Sequence, residues 1–548
     1  MRTLLACLLL TPALAVASDR PNILFFFTDD HAPHAIGAYS GFYKALDPTP
    51  TIDRLAADGI VFKNSFCTNS ICGPSRAVII TGKHSHRNGF RNNGDNFDGD
   101  QQTFPKLLRK AGYQTALYGK WHLKSTPQGF DDWAVLPGQG EYYNPRMLRG
   151  GIDTHAAEGP KKRGEQFILD GYCTDVVTDM ALDWLKDGRD ADKPFLLMCQ
   201  HKAPHRNWMP ALRHLNLYDD VTVPEPDTLF DTEYADNAIG ARIQEMEIGR
   251  HMHLYYDLFV TPESGPDADD TTKEAVDPMH FGGQKDKSFD RNWKRMTPEQ
   301  QKTWTAAYGP ENAEYHETKP TGDDLIRWKY QRYMKNYLRC VRAVDENMKR
   351  VLDALEEAGL AENTLVVYSS DQGFYLGDHG WYDKRWMYEE SLKMPLVMRM
   401  PGVIEPGAVS EAMVQNLDYA PTFLELAGVD VPEDMQGRSL VPLFDGSTPN
   451  DWRKSLYYRF YEFPGVHMTA MHRGVRTRRY KLLDLYEFGE REFYDLQADP
   501  DELTNVIDDP KYAAEVQNLT DELERLRVHY GDDLPQERPE EWQRQYHK

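Results

Sequence analysis

Short β-rich apolar runs alternate along the chain with stretches of helical spacing. Asn22 to Phe27 (NILFFF), Gln114 to Tyr118 (QTALY), Phe195 to Cys199 (FLLMC) and Leu365 to Ser369 (LVVYS) predict buried strands. Between the third and fourth, Met334, Leu338, Val341, Val344, Met348, Val351 and Leu355 recur at intervals of three and four. This predicts an amphipathic helix, which Gly359 and Asn363 bring to an end. The alternation predicts an α/β fold: a large mixed, mostly parallel sheet sandwiched by helices.

Residues 206 to 325 break the pattern, being rich in Asp, Glu, Pro and Gly without sustained periodicity, and are expected to form surface loops. After about residue 445 strands are expected around Tyr457 to Tyr461, Tyr480 to Leu485 and Glu492 to Leu496. A closing helix carries Tyr512, Val516, Leu519, Leu523 and Leu526 on one face. This reads as a small antiparallel sheet with one helix. A chain of 548 residues exceeds what one core organises, so the expected division is a catalytic domain at 18–445 and a C-terminal α+β subdomain at 446–548.

Residues 1–17 read as an export signal, with Arg2, the apolar stretch Leu4 to Leu10 and the small-residue site Ala15-Val16-Ala17. No later apolar run is long enough to span a bilayer, so the mature chain is expected in a periplasm or outside the cell. Beyond Cys7 the cysteines are Cys67, Cys72, Cys173, Cys199 and Cys340; an oxidising compartment favours pairing, which leaves one over. The formal net charge of -23 argues against nucleic-acid binding, and an anionic substrate would need a locally basic site.

Polar residues capable of chemistry follow the predicted strands: Asp29 and Asp30 the first, Lys120 and His122 the second, His201 and His205 the third, Asp371 and Gln372 the fourth. In open α/β sheets the carboxyl ends of the strands form the ligand crevice, so these groups can converge. Asp29, Asp30, Asp371 and the Gln372 amide offer only hard oxygen ligands, which suit Ca²⁺ or Mg²⁺; Ca²⁺ is preferred because it tolerates ligands from separate loops. In Cys72-Gly73-Pro74-Ser75-Arg76, Pro74 fixes a turn, Ser75 is a candidate helix cap and Arg76 can return to residue 72. On the residues alone, Cys72 reads as a nucleophile of lowered pKa.

The pattern Cys-x-Pro-Ser-Arg-x4-Thr-Gly, met by Cys72, Pro74, Ser75, Arg76, Thr81 and Gly82, resembles the type I sulfatase family of the alkaline-phosphatase-like superfamily. Similarity continues through Pro50 to Leu55, Ala111-Gly112-Tyr113, Gly119-Lys120-Trp121-His122 and Tyr494-Asp495-Leu496. The resemblance implies conversion of Cys72 to Cα-formylglycine (3-oxoalanine) by a formylglycine-generating maturation enzyme, and Ca²⁺ bound by Asp29, Asp30, Asp371, Gln372 and residue 72. Gln372 departs from the commoner Asn or His. It further implies that Arg76 orients the nucleophile and that Lys120 and Lys384 neutralise the sulfuryl group. His122 would assist release of sulfate, and His205 would protonate the leaving oxygen or bind the sulfate. His201 is expected to be structural.

Segments 137–145 and 202–208 look like bacterial glycan sulfatases, including those acting on N-acetylglucosamine-6-sulfate or mucin glycans, so a sulfated carbohydrate is the implied substrate. Tyr142, Tyr143 and Trp208 are candidate sugar-stacking or core residues, and His467, His472 and Arg476 are candidates to line the sugar pocket. The alternatives are a phosphodiesterase or phosphonate monoester hydrolase of the same superfamily, or a non-catalytic binder of sulfated glycans.

Overall fold

The computed structural model describes residues 20–39, 41–151, 164–230, 238–276 and 287–534; the expected signal segment lies outside them. The strands are β1 Asn22–Thr28, β2 Ile60–Phe66, β3 Gln114–Lys120, β4 Asp132–Leu136, β5 Arg146–Gly151, β6 Glu165–Ile168, β7 Phe195–Gln200, β8 Thr364–Ser370, β9 Tyr375–Leu376, β10 Tyr382–Asp383, β11 Leu396–Arg399 and β12 Ala408–Gln415. Ten of them form one sheet in the order β12-β2-β11-β8-β1-β7-β3-β4-β5-β6. Only β5 and β11 run against the rest. The mostly parallel sheet expected from the alternation is thus present, and its four predicted strands form the contiguous centre β8-β1-β7-β3.

Each central strand feeds two cores, because successive side chains point to opposite faces. From β1, Leu24 and Phe26 enter one core with Val366, Tyr368, Leu197 and Cys199. Ile23, Phe25 and Phe27 enter the other with Leu365, Val367, Leu196 and Met198. The helices Cys173–Asp183 and Gly322–Glu357 cover the first face, and Cys72–Thr81, Phe104–Lys110 and Tyr419–Leu426 the second.

The structure corrects three expectations. The long helix spans Gly322–Glu357, three turns more than its apolar spacing predicts. Its first turns bury Lys329 and Arg332, whose side chains donate to the carbonyls of Met252 (2.8 Å) and Leu258 (3.1 Å), so no apolar period marks them. Within 206–325, the helix Pro298–Thr318 and the buried loop Leu254 to Val260 join the first core rather than lying on the surface. That helix buries Trp304, Tyr308, Asn312 and Tyr315, a narrow stripe in a polar sequence. The five cysteines of the described chain are all buried and unpaired. They are divided between the two cores, Cys67 and Cys72 on one face, Cys173, Cys199 and Cys340 on the other.

At the C-terminus β13 Ser455–Phe460, β14 His472–Thr477, β15 Tyr480–Leu485 and β16 Glu490–Asp495 form an antiparallel sheet in sequence order. One face receives the helix Ala513–Tyr530 through Leu519, Leu523 and Leu526; the other presents Leu456, Tyr458, Phe460 and Leu483 to the second main core. β14 carries no apolar alternation, since it buries His472, Arg473 and Arg476. His472 stacks against Trp386, Tyr458 and Phe460 at ring-centroid distances of 5.1, 5.4 and 5.7 Å, and its Nδ1–H donates to the Ala470 carbonyl (2.8 Å).

Burial lowers the His472 pKa to about 4. Its folded value lies below the ordinary histidine value, so the stability it protects is complete above pH 6.5 and is lost as pH falls toward 4. His472→Phe is expected to shrink the loss of stability between pH 7 and pH 4.5 by roughly 2 kcal/mol in urea titrations. An unchanged pH dependence would show that His472 is not a buried neutral group.

Candidate active site

The carboxyl ends of β1, β3, β7 and β8 bring together the polar groups that follow them, with the helix Cys72–Thr81 pointing its N-terminus at the same place. Asp29, Asp30, Lys120, Asp371 and Gln372 are fully buried, and Lys384 is 2% exposed. The turn after β1 depends on Asp30 in a left-handed conformation (φ 68°). It is pinned from two sides: the Asp30 amide donates to Asp371 Oδ1 (3.1 Å), and the Tyr337 hydroxyl donates to the Asp30 carbonyl (2.8 Å).

Three carboxylates meet here, those of Asp29, Asp30 and Asp371, with oxygens all within 4.8 Å of one another. Lys384 Nζ lies 2.6 and 2.7 Å from the two Asp30 oxygens, and Lys120 Nζ contacts Asp29. Arg76 donates to Asp371 Oδ2 through Nε (3.1 Å) and Nη2 (3.0 Å). Burial nevertheless pushes Asp30 up to about 7, against the pull of Lys384. Burial works against the Lys384 ammonium too, but Asp30 and Asp383 outweigh it and raise its pKa above the ordinary lysine value.

The fit of a metal ion follows from the polar atoms left over. The Asp29 oxygens, which meet Lys120 and Arg76 as ion pairs, and Gln372 Oε1 are buried and accept no hydrogen bond, while Gln372 spends its Nε2 on Asp30. A buried oxygen without a partner is costly, and a cation satisfies several at once. The donors are hard oxygens, which fit a hard divalent ion. Asp29, Cys72 and His205 form a second group of candidate ligand atoms within 4.8 Å.

Cys72 begins its helix behind Ile71, whose extended backbone ends the preceding loop. Ser75 does not cap this helix: it lies inside it, donates to the Asp371 carbonyl and accepts from Asn416 Nδ2 (2.9 Å), tying the helix to the β8 loop. Arg76 does not return to residue 72. Its Nη1 donates to the Lys120 carbonyl (2.8 Å) and Gln200 Oε1 (3.1 Å), and its guanidinium packs 4.8 Å from the Phe27 ring centroid. The Cys72 thiol is raised, not lowered, because burial outweighs the attraction of Lys384. Unmodified, this thiol is a poor nucleophile at neutral pH.

The histidines divide. His205 Nδ1 pairs with the Arg206 carbonyl (2.7 Å), leaving Nε2 3.8 Å from Asp30 Oδ2; burial first, then Lys120 and Lys202, hold its pKa well below the ordinary value. His122, also in a left-handed conformation (φ 57°), is depressed by burial and by Lys120, Arg76 and Lys384. His201 is buried against Cys199 Sγ at 3.6 Å and belongs to the core. His467 reaches the edge of the site, with Nε2 3.4 Å from Asp383 Oδ2. His472 and Arg476 are placed otherwise than the pocket expectation. The first is committed to its aromatic stack, the second to Glu389 by bonds of 3.2 and 2.8 Å. Tyr142, Tyr143 and Trp208 are at most 1% exposed and pack in the first core, where no sugar face can reach their rings.

Residues without a sequence signal complete the surroundings. Asn93 touches Cys72, Gln139 touches Lys120, and Gln200 holds Arg76. Arg385 is fixed between Asp383 (3.0 Å) and Glu462 (3.5 Å). The one available cue was adjacency of Asp383 and Arg385 to Lys384. The strained left-handed backbone of Asp383 (φ 81°) and Arg385 (φ 100°), which marks functional loops, is visible only in the structure.

Comparison with known proteins agrees with this arrangement. Residues 377–529 match the family of N-sulphoglucosamine sulphohydrolase C-terminal regions, and residues 21–429 match the Sulfatase family. The chain is 45% identical over 527 residues to the N-acetylglucosamine-6-O-sulfatase of Bacteroides thetaiotaomicron, covering 95% of this chain and 88% of that protein. A structure solved in complex with its substrate D-glucosamine-2-N,6-O-disulfate superposes with a TM-score of 0.85 at 44% identity, covering 95% of this chain and 100% of that one. A phosphonate monoester hydrolase from Silicibacter pomeroyi, at 21% identity, TM-score 0.63 and coverages of 93% and 96%, shares the fold alone. The family match runs from the first strand to beyond β12 and so includes every element that builds the cluster: the chain belongs to the sulfatase family and is a sulfuric ester hydrolase.

Proposed function

We propose that this sulfatase removes a 6-O-sulfate from glucosamine or N-acetylglucosamine units of a sulfated glycan, using residue 72 as nucleophile. The observation that carries the reading is the meeting of Cys72, Asp29 and His205 within 4.8 Å at the head of a helix, between two lysines. The substrate class rests on the match, at 45% identity, to a protein named N-acetylglucosamine-6-O-sulfatase and on the match, at 44% identity, to a structure solved with D-glucosamine-2-N,6-O-disulfate.

Matured to Cα-formylglycine, residue 72 would supply a hydrated aldehyde as the attacking hydroxyl. The raised thiol of Cys72 supports this over thiolate chemistry. Asp29, Asp30, Asp371 and Gln372 would hold Ca²⁺, which when bound supplies positive charge against the sulfate oxygens and the nucleophile. Lys120 and Lys384, already within contact of Asp29 and Asp30, would turn their ammonium groups to the sulfuryl oxygens. Arg76 holds Asp371 in place and so orients the site rather than touching residue 72. His205 Nε2 would meet the leaving oxygen, its ring fixed by the Arg206 carbonyl. His122 would accept the proton of the second hydroxyl on residue 72 as sulfate departs. His467, 3.4 Å from Asp383 and so beside Lys384, would line the sugar pocket from the C-terminal region. The division into a catalytic domain at 18–445 and a C-terminal subdomain at 446–548 and export by a cleaved segment at 1–17 belong to the same reading, the first supported by the separate four-stranded sheet, the second by the succession of Arg2, Leu4 to Leu10 and Ala15-Val16-Ala17.

Sulfate release from 6-sulfated glucosamine, N-acetylglucosamine and the 2-N,6-O-disulfate, beside paired aryl sulfate and aryl phosphate esters, tests the substrate. The 6-sulfated amino sugars are expected to be turned over fastest; a large preference for the phosphate would sink the proposal. Asp371→Ala removes a carboxylate and the anchor of Arg76, so bound metal and activity are expected to vanish together. Activity retained in chelator would exclude calcium from catalysis. Lys384→Ala is expected to lower turnover about a hundredfold or more in steady-state assays; near-normal turnover would remove it from the reacting centre.

A further inference from the structure

The nucleophile has a side-chain neighbour that nothing above assigns a role. Asn93 Nδ2 lies 3.5 Å and its Oδ1 3.9 Å from Cys72 Sγ, and Oδ1 accepts the Gly73 amide at 3.1 Å. The Gly73 bond fixes which atom is the oxygen, because turning the amide over would set donor against donor there, and leaves Nδ2, the nearer atom, to donate to residue 72. The loop around Asn93 is held by its own hydrogen bonds, with Phe90 and Phe97 buried on either side of it. Asn92 Oδ1 accepts the amides of Gly94 (2.7 Å) and Asp95 (3.2 Å), and Asp95 Oδ2 accepts those of Arg91 (2.8 Å) and Asn92 (3.2 Å). Asn69 Nδ2 donates to the Arg91 carbonyl (3.0 Å), Lys124 Nζ to that of Gly94 (3.0 Å), and the Phe97 amide to that of Leu123 (3.2 Å).

The helix makes room for this contact. A Cβ at residue 73 would lie 2.7 Å from Asn93 Oδ1 and 2.7 Å from a Phe90 ring carbon, closer than real contacts allow. The unspecified position of Cys-x-Pro-Ser-Arg is therefore glycine here because Asn93 and Phe90 lie over it. An amide held this firmly against sulfur, a weak acceptor, is better matched to an oxygen at the same place.

We propose that Asn93 is a positioning residue for the nucleophile: its Nδ2 donates a hydrogen bond to an oxygen of matured residue 72, and Gly73 admits it. The inference rests on the reading of residue 72 as formylglycine. Two hydroxyls on one carbon can rotate; a fixed donor removes that freedom and leaves one hydroxyl aimed at sulfur. No bond is made or broken by Asn93.

The test uses matured protein, with mass spectrometry of the residue 72 peptide, and the variants Asn93→Ala and Asn93→Leu. The leucine keeps the size and branching of the carboxamide but can neither donate to nor accept from a hydroxyl of residue 72. Both are expected to lower kcat about tenfold or more with KM within about twofold, the size of one lost hydrogen bond. Both are also expected to raise the rate at which an aminooxy probe captures the aldehyde, since the hydrate loses a contact that holds it. Should alanine unfold the loop, Asn93→Leu carries the test. An unchanged capture rate in folded Asn93→Leu with the aldehyde present overturns the role of Asn93, whatever the turnover. Active protein without the aldehyde overturns the reading of residue 72 and this inference with it.

Discussion

Three buried carboxylates, each with an oxygen within 4.8 Å of the others, set the terms for the rest of the molecule. Like charges out of water repel and lose their hydration, so such a group persists only where neighbouring backbone and cations compel it. Here the compulsion comes from the sheet. Parallel pairing of β1 with β7 and β8 fixes where Asp29, Asp30 and Asp371 emerge, and neither turn can retreat without breaking a central strand. Lys120, Lys384 and Arg76 balance part of the charge, and oxygens left without partners make a cation welcome.

Much of what lies around this cluster reads as support for it. Arg76 spends its guanidinium on Asp371, Gln200 and the end of β3, joining the helix Cys72–Thr81 to three strand ends. Ser75 and Asn416 hold the same helix to the β8 loop. Tyr337 carries the influence of the long helix to the backbone at Asp30. The C-terminal sheet supports the segment that bears Lys384. Burial alone would raise Glu389, but Arg476, Lys393 and Lys481 hold its pKa well below the carboxylate range, and Lys481 also donates to the Met387 carbonyl (2.8 Å). Breaking one partner of such a buried network leaves a charge uncompensated, so the two parts of the chain are locked together through it.

This explains why Arg476 and His472 mislead a reader of the sequence. Both are polar residues of a small appended sheet, the composition expected of a pocket wall, yet the interface between two packed layers also needs polar groups wherever charges must be paired. Composition cannot tell a paired arginine from a waiting one. The same limit hid the helix Pro298–Thr318, whose buried stripe is four side chains in a polar background.

By itself the sequence determined the central strands, the long helix, the family and the set of side chains that gather at the strand ends. Those signals are local: alternation and spacing are properties of neighbouring residues, and a motif such as that from Cys72 to Gly82 is read within one stretch of chain. The tertiary structure alone decided the partners. It turned Arg76 away from residue 72 toward Asp371, raised the Cys72 thiol by burial, left the five cysteines unpaired on two faces of a sheet, and laid Asn93 over Gly73. Each of these depends on segments far apart in sequence being held at hydrogen-bonding distance. Only the packed sheet and its helices set such distances.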